Sequence, residues 1–136
     1  MYLLSLLKTM PVAMPPLRIL IADNQHSQCL LIEKCLNLLC QFCVAPVCSF
    51  HELDQVTQSP TLTFDLVVVN AALTRQVGVD AGLFCLHNAS VHNALIYGDD
   101  YLLLRESAPT GKWGTLMMAR SADLYTLMRA LGDIQR

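Results

Sequence analysis

Two apolar runs, each closed by a polar residue, constrain the fold of this chain more than any other feature. The first, 17–22, ends at Asp23, and the second, 66–69, ends at Asn70. Such runs are typical of buried β-strands whose polar ends meet at one rim of a sheet. In an open α/β sheet, ligands and chemistry lie at that rim. Because an amide is a weak nucleophile and carries no charge, Asn70 indicates that the fold is kept while chemistry at this position is lost.

The rest of the chain alternates between strand and helix patterns. The spacing of apolar residues predicts strands over 18–23, 42–47, 64–69, 93–97 and 115–119. It predicts helices over 27–40, 50–57, 79–87 and 100–106, and a final helix after 121. Between the last two strands, 109–114 is a loop by its Pro and Gly content. Strands alternating with helices predict an α/β fold, a flavodoxin-like (βα)5 three-layer sandwich with a five-stranded parallel sheet of order 2-1-3-4-5.

Several residues fix the ends and order of these elements. Pro46 lies within the second strand, and proline is tolerated only at a sheet edge, which order 2-1-3-4-5 provides. Ser49 and Glu52 have the spacing of a capping box. Ser27 and Ser121 are the predicted N-caps of the first and last helices.

Composition limits the functional classes. The chain has 136 residues, of which 54% are hydrophobic and 15% charged, with a net charge of −2. This length predicts one domain, which we place at 17–136, and the apolar content indicates a surface that something covers. The cations are scattered, so direct nucleic-acid binding is disfavoured.

Residues 1–16 form an N-terminal arm that we expect to be flexible or helical. Its apolar residues follow helical spacing, but Lys8 interrupts them and three prolines separate the arm from the domain. The arm lacks the pattern of a secretory signal and is far too short to span a bilayer. We therefore expect a cytoplasmic protein with no membrane association.

Six cysteines could indicate a metal or redox site. They are Cys29, Cys35, Cys40, Cys43, Cys48 and Cys85. Because they stand among apolar residues at helical and strand spacing, buried structural thiols are favoured over both alternatives. We expect no cofactor and no metal.

The two strand-end motifs, with a helical segment between them, resemble the receiver domain of bacterial response regulators over about 17–136. In that family, an acidic pair after the first strand binds magnesium, and an aspartate after the third strand accepts a phosphoryl group from a histidine kinase. A Ser or Thr after the fourth strand and a Lys after the fifth complete the switch. Carboxylates suit a hard cation, and the lysine neutralises phosphoryl charge.

The resemblance implies a degenerate, pseudo-receiver site that lacks the phospho-acceptor. The five matching positions hold, in order, Asp23, Asn24, Asn70, Gly98 and Met118. A one-residue slip would put Ala119 in the last place. Only the first of the family's functional residues remains, so we expect no catalytic residues and no enzymatic activity. Asp99 and Asp100 could add oxygen to a weak cation site, but we favour them as caps of the next helix.

The same resemblance implies a contact surface on the fourth helix, fifth strand and fifth helix. The candidate contact residues there are Leu102, Trp113 and Tyr125, whereas we expect Met117 and Met128 to be core. Methionine and aromatic residues are common at adaptable interfaces.

The resulting hypothesis is an atypical, phosphorylation-independent regulatory module in signal transduction or transcription control. It would act through protein contacts, as a homodimer or with a kinase, regulator or enzyme partner. No output domain follows Arg136, so the effect is exerted through a partner, or the chain is a fragment of a longer regulator. The alternative is a small-molecule or redox sensor that uses the rim as a pocket, and a residual phospho-acceptor is the third hypothesis.

Overall fold

The computed structural model describes residues 16–40, 42–59, 61–98 and 114–134, without the side chains of residues 43–45. The predicted N-terminal arm lies almost entirely outside these ranges. The predicted helix over 100–106 and nearly all of the loop over 109–114 also lie outside them.

The described residues contain five strands and five helices. The strands are β1 (Leu17–Ala22), β2 (Phe42–Val47), β3 (Leu66–Asn70), β4 (Ala94–Tyr97) and β5 (Leu116–Ala119). The helices are α1 (His26–Leu39), α2 (Phe50–Thr57), α3 (Ala71–Arg75), α4 (Ala81–Leu86) and α5 (Leu124–Ile134). No helix within the described ranges has both the length and the apolar character needed to cross a membrane.

The strands form one parallel sheet of order β2-β1-β3-β4-β5, which confirms the predicted flavodoxin-like α/β fold. β2 pairs only with β1 and is therefore an edge strand, as Pro46 predicted. Asn70 pairs in register with Tyr97, and Tyr97 pairs with Ala119. These residues, with Asp23 one residue beyond β1, therefore lie at the same rim of the sheet.

The sheet is buried on both faces because its strands are apolar at successive positions. Leu20, Val67 and Ile96 pack in the core that α2, α3 and α4 cover. Ile21 and Leu95 pack in the opposite core, which α1 and α5 cover. Strand side chains alternate between faces, so a continuous apolar run fills both layers.

Two predicted caps are wrong, and one is confirmed. Ser49 Oγ accepts the N–H of Glu52 at the start of α2, as the capping box predicted. α1 has Gln25 as its N-cap, without a side-chain cap, instead of Ser27. At α5, Asp123 Oδ1 accepts the N–H of Thr126, so the cap is not Ser121. Asx and Ser caps compete closely at helix starts, and neighbouring polar residues make the choice hard to predict.

The helix α3 was not predicted. It has only five residues and follows β3 without a loop, with Asn70 as its N-cap. Helices this short lack the periodic signal that identifies longer ones. The predicted strand over 64–69 and helix over 79–87 are present with shifted bounds, as β3 and α4.

A pair of leucine substitutions tests the assignment of the core. Leu20 in β1 is 0% exposed and Leu38 in α1 is 78% exposed. Leu20→Ala removes buried methyl groups and leaves a cavity, so it should lower the free energy of unfolding by about 2–5 kcal/mol. Leu38→Ala makes the same chemical change and should alter it by less than about 0.5 kcal/mol. Urea denaturation measures both, and equal effects would contradict the fold.

Candidate functional site

The carboxylate of Asp23 lies at the centre of the rim and is fully buried, with 0% exposure. Asp23 follows β1 directly, and its own backbone N–H donates to Val47 O of β2 at 3.1 Å. A buried carboxylate costs several kcal/mol unless donors satisfy it (on the order of 1–3 kcal/mol for each group left unsatisfied). The donors around Asp23 therefore decide what this site can do.

Three donors from three parts of the chain satisfy this carboxylate. The hydroxyl of Tyr97, at the end of β4, donates to Asp23 Oδ2 in a short hydrogen bond. Asn70 Nδ2, at the end of β3, donates to the same oxygen at 3.2 Å. The backbone N–H of Gln25 donates to Asp23 Oδ1 at 2.8 Å. The group formed by Asp23, Asn70 and Tyr97 is called the rim triad below.

The amide of Asn70 is held at both ends. Its Nδ2 donates to Asp23, and its Oδ1 accepts the N–H of Ala72 at 2.9 Å, which caps α3. An aspartate at this position would place a second carboxylate against Asp23, where like charges repel. The amide thus joins β3 to β1 and starts α3, but it offers no nucleophilic oxygen.

Burial strongly raises the pKa of Tyr97. Its hydrogen bond to Asp23 and the charge of that carboxylate raise this pKa further. Both effects favour the neutral phenol, because a phenolate would be desolvated and would face a negative charge. Tyr97 therefore stays protonated and keeps donating to Asp23 throughout the neutral range.

Gly98 lies next to the rim triad in a backbone conformation with φ of +146°. L-residues with a side chain rarely adopt this conformation. A Cβ at this position would meet Ala71 Cβ at 3.4 Å and Asn70 Oδ1 at 3.6 Å, which is ordinary contact. The backbone angle, more than space, therefore opposes a Ser or Thr here.

Two other residues predicted from the sequence to lie in the site, Asn24 and Met118, do not contribute to the rim triad. Asn24 is exposed in the bend before α1. Met118, in register with Ile96, is half-buried and packs against the core on the α2–α4 side of the sheet. Its thioether supplies no positive charge where a receiver has lysine. The structure therefore joins Asp23 to Asn70, places Gly98 beside them, and leaves Asn24 and Met118 apart.

A cavity of about 390 Å³, here called the rim cavity, opens above the rim triad. Its lining comprises Gln25, Gln28, Asn70, Ala72, Arg75, Tyr97, Gly98, Arg120 and Ser121. The roles of Tyr97, Arg75 and Arg120 were not predicted from the sequence. Tyr97 could have been found from strand register, because it ends the strand next to the one that Asn70 ends.

The candidate contact surface is only partly described. Tyr125 is 64% exposed, whereas Leu102 and Trp113 lie outside the described residues. Met128, which we expected to be core, is 50% exposed, because consecutive residues of a helix point about 100° apart and Leu127 is the one that faces the core. Met117 is half-buried against the core under α1 and α5. The exposed part of α5 thus presents Tyr125 and Met128 together.

Four of the described thiols, Cys29, Cys40, Cys48 and Cys85, are poorly suited to redox chemistry. Burial raises the pKa of Cys85 to about 12 and also raises the pKa values of Cys29 and Cys40. A hydrogen bond from Cys48 Sγ to Glu52 raises the pKa of that exposed thiol. The thiolate is the reactive form, so a raised pKa lowers reactivity.

Within the described ranges, no three or more His, Cys, Asp and Glu side chains come together in an arrangement that could hold a metal ion. No family model, curated protein or solved structure matches the chain. The chemistry of the rim must therefore be judged from its own geometry.

The raised pKa of Tyr97 gives a pH-dependent prediction. Tyr97→Phe removes a donor to a buried charge and should lower the free energy of unfolding by about 1.5–3 kcal/mol at pH 7. Above about pH 10, tyrosine ionises in the unfolded chain but not at position 97 of the folded protein. Ionisation of this tyrosine in the unfolded chain should then lower the free energy of unfolding of the wild type by about 1.4 kcal/mol per pH unit. The difference in free energy of unfolding between the wild type and Tyr97→Phe should therefore shrink.

Denaturation of both proteins from pH 7 to 11 measures this gap. Tyr125→Phe is the matched control, because Tyr125 is 64% exposed and loses the same hydroxyl. The control should follow the wild type at every pH. A gap that does not change with pH would show that Tyr97 ionises normally.

Proposed function

We propose that this chain is a receiver-like regulatory module that acts through protein contacts and without phosphoryl transfer. The observation that carries the proposal is the hydrogen bond from Asn70 Nδ2 to Asp23 Oδ2. The position that accepts phosphate in a receiver holds an amide here, and that amide supports the structure. The proposal thus combines the scaffold of a phospho-switch with an amide in place of the phospho-acceptor.

The remaining carboxylate is also poorly placed for metal-assisted chemistry. Asp23 Oδ2 already accepts from Tyr97 and Asn70, and Oδ1 accepts from Gln25 N. A magnesium ion requires oxygen ligands in near-octahedral geometry and would have to displace these donors. Regulation by such a module would depend on occupancy by a partner, with no chemical event in the module itself.

The exposed side of α5 supports action through contacts. Tyr125 and Met128 are largely exposed there, and Leu124 beside them is 41% exposed. Tyrosine and methionine are enriched at adaptable interfaces. We propose a second copy of the chain as the partner, with a kinase or another regulator as the alternative, in the cytoplasm.

A small-molecule sensor is the second candidate function, and the rim cavity favours it. Cavities of this size hold small ligands, and this one lies at the carboxyl ends of the strands, where α/β folds bind them. The redox version of this hypothesis is disfavoured, because Cys29, Cys40, Cys48 and Cys85 have raised pKa values.

Incubation with beryllofluoride and magnesium tests the absence of phosphoryl chemistry. Beryllofluoride mimics a phosphoryl group on aspartate, and a ligand present at 100 times its Kd would stabilise the protein by about 2.7 kcal/mol. We expect no change in Tm and no covalent adduct with acetyl phosphate by intact mass. A functional receiver domain serves as the positive control. A magnesium-dependent rise in Tm would contradict the proposal.

Charged substitutions on α5 test action through contacts. Sedimentation equilibrium of the wild type should show reversible self-association, and Met128→Glu should raise its Kd at least about tenfold. Val77→Glu is the matched control, because Val77 is 56% exposed in a turn away from α5 and gains the same charge. Equal effects of the two substitutions would exclude α5 as the interface.

A further inference from the structure

We propose that the rim cavity binds a small phosphomonoester, with its phosphate group held between Arg75 and Arg120. This inference rests on the second candidate function and names its ligand class. It does not depend on the α5 contact surface. The ligand would bind non-covalently, since Asn70 has no nucleophilic oxygen and the carboxylate of Asp23 is buried and held by hydrogen bonds.

Two arginines from separate elements line the same cavity. Arg75 is the last residue of α3, and Arg120 directly follows β5. The β4 strand lies between β3 and β5, so the cavity crosses the ends of three neighbouring strands. Gln25 and Gln28, from the start of α1, contribute further donors to the lining.

The described lining of the rim cavity contains cations and amides but no carboxylate. Asp23 is 0% exposed beneath the cavity, and Tyr97 and Asn70 hydrogen-bond to it. Two arginines in a concave site create a positive potential that favours an anion. The guanidinium group also matches phosphate geometry with two parallel hydrogen bonds.

The start of α1 adds to this positive potential. α1 has 14 residues, its N-cap Gln25 makes no side-chain capping bond, and its first turn has no acidic residue. The N-terminus of a helix carries a partial positive charge, and an anion there accepts from its first N–H groups. Gln25 and Gln28 line the cavity, so this helix end borders the proposed phosphate site. Ser121 supplies a hydroxyl on the opposite side.

The volume indicates an organic phosphate instead of free phosphate. About 390 Å³ corresponds to roughly a dozen water molecules, more than a phosphate group alone would displace. The rest of the space adjoins Ala72 and Tyr97, which suits a compact ring or short chain. Phenyl phosphate has this combination of a dianion and a small apolar group.

Isothermal titration calorimetry with phenyl phosphate tests the proposal on the full chain. We expect saturable binding to the wild type, weakened at least about tenfold by Arg75→Gln and, separately, by Arg120→Gln. Arg18→Gln is the matched control, because Arg18 is exposed near the start of β1, at the amino end of the strands and therefore opposite the rim. It loses the same charge and should keep the wild-type Kd. Unchanged melting temperatures would show that all three variants are folded.

The outcomes separate this inference from the functions proposed above. Absence of binding to the wild type, or equal weakening by Arg18→Gln, would overturn it. Succinate binding more tightly than phenyl phosphate would overturn the phosphate assignment. Benzyl alcohol binding as tightly as phenyl phosphate would overturn the anion site, yet would leave the small-molecule sensor standing. Self-association through α5 is measured separately and does not change with any of these results.

Discussion

The rim of this protein depends on one buried carboxylate. Asp23 is fully enclosed, so its charge must be met by donors from within the fold. Tyr97 and Asn70 supply them from β4 and β3, and the N–H of Gln25 supplies another from the loop before α1. Through these contacts the carboxylate of Asp23 joins the ends of three neighbouring strands, β1, β3 and β4. The same contacts that stabilise the rim occupy the oxygens that metal chemistry would need.

The residues that form the fold of this protein differ from those that phosphoryl transfer would require. The parallel sheet and its two cores need only apolar strands and covering helices, and these are complete in the described residues. Phosphoryl transfer needs a nucleophilic carboxylate, a cation and a positive side chain, and under the proposed likeness to a receiver Asn70 and Met118 would replace the first and the last of these. The features of this molecule that can bind a partner or ligand are the exposed side chains of α5 and the cavity above the rim, which two arginines line.

The sequence predicted the sheet order well because apolar periodicity and an edge proline both reflect the backbone. Pro46 is informative, since only an edge strand tolerates it. The place of Tyr97 beside Asn70 follows from the predicted strand order, but its hydrogen bond to Asp23 depends on side-chain positions that strand order does not give. Met128 was wrongly predicted to be core. Helical spacing gives the centre of the buried face, but packing decides which residues at the margin of that face are covered. Arg75 and Arg120 are 45 residues apart in sequence, and only the fold brings them to one cavity.

A double-mutant cycle between Asp23 and Tyr97 tests the central claim most directly. The free energy of unfolding would be measured for the wild type, Asp23→Ala, Tyr97→Phe and the double variant at pH 7. If the carboxylate is the acceptor that Tyr97 satisfies, Tyr97→Phe should be costly in the wild type and nearly neutral without Asp23. The predicted coupling energy is at least about 1 kcal/mol. Additive effects, with a coupling energy near zero, would contradict the account.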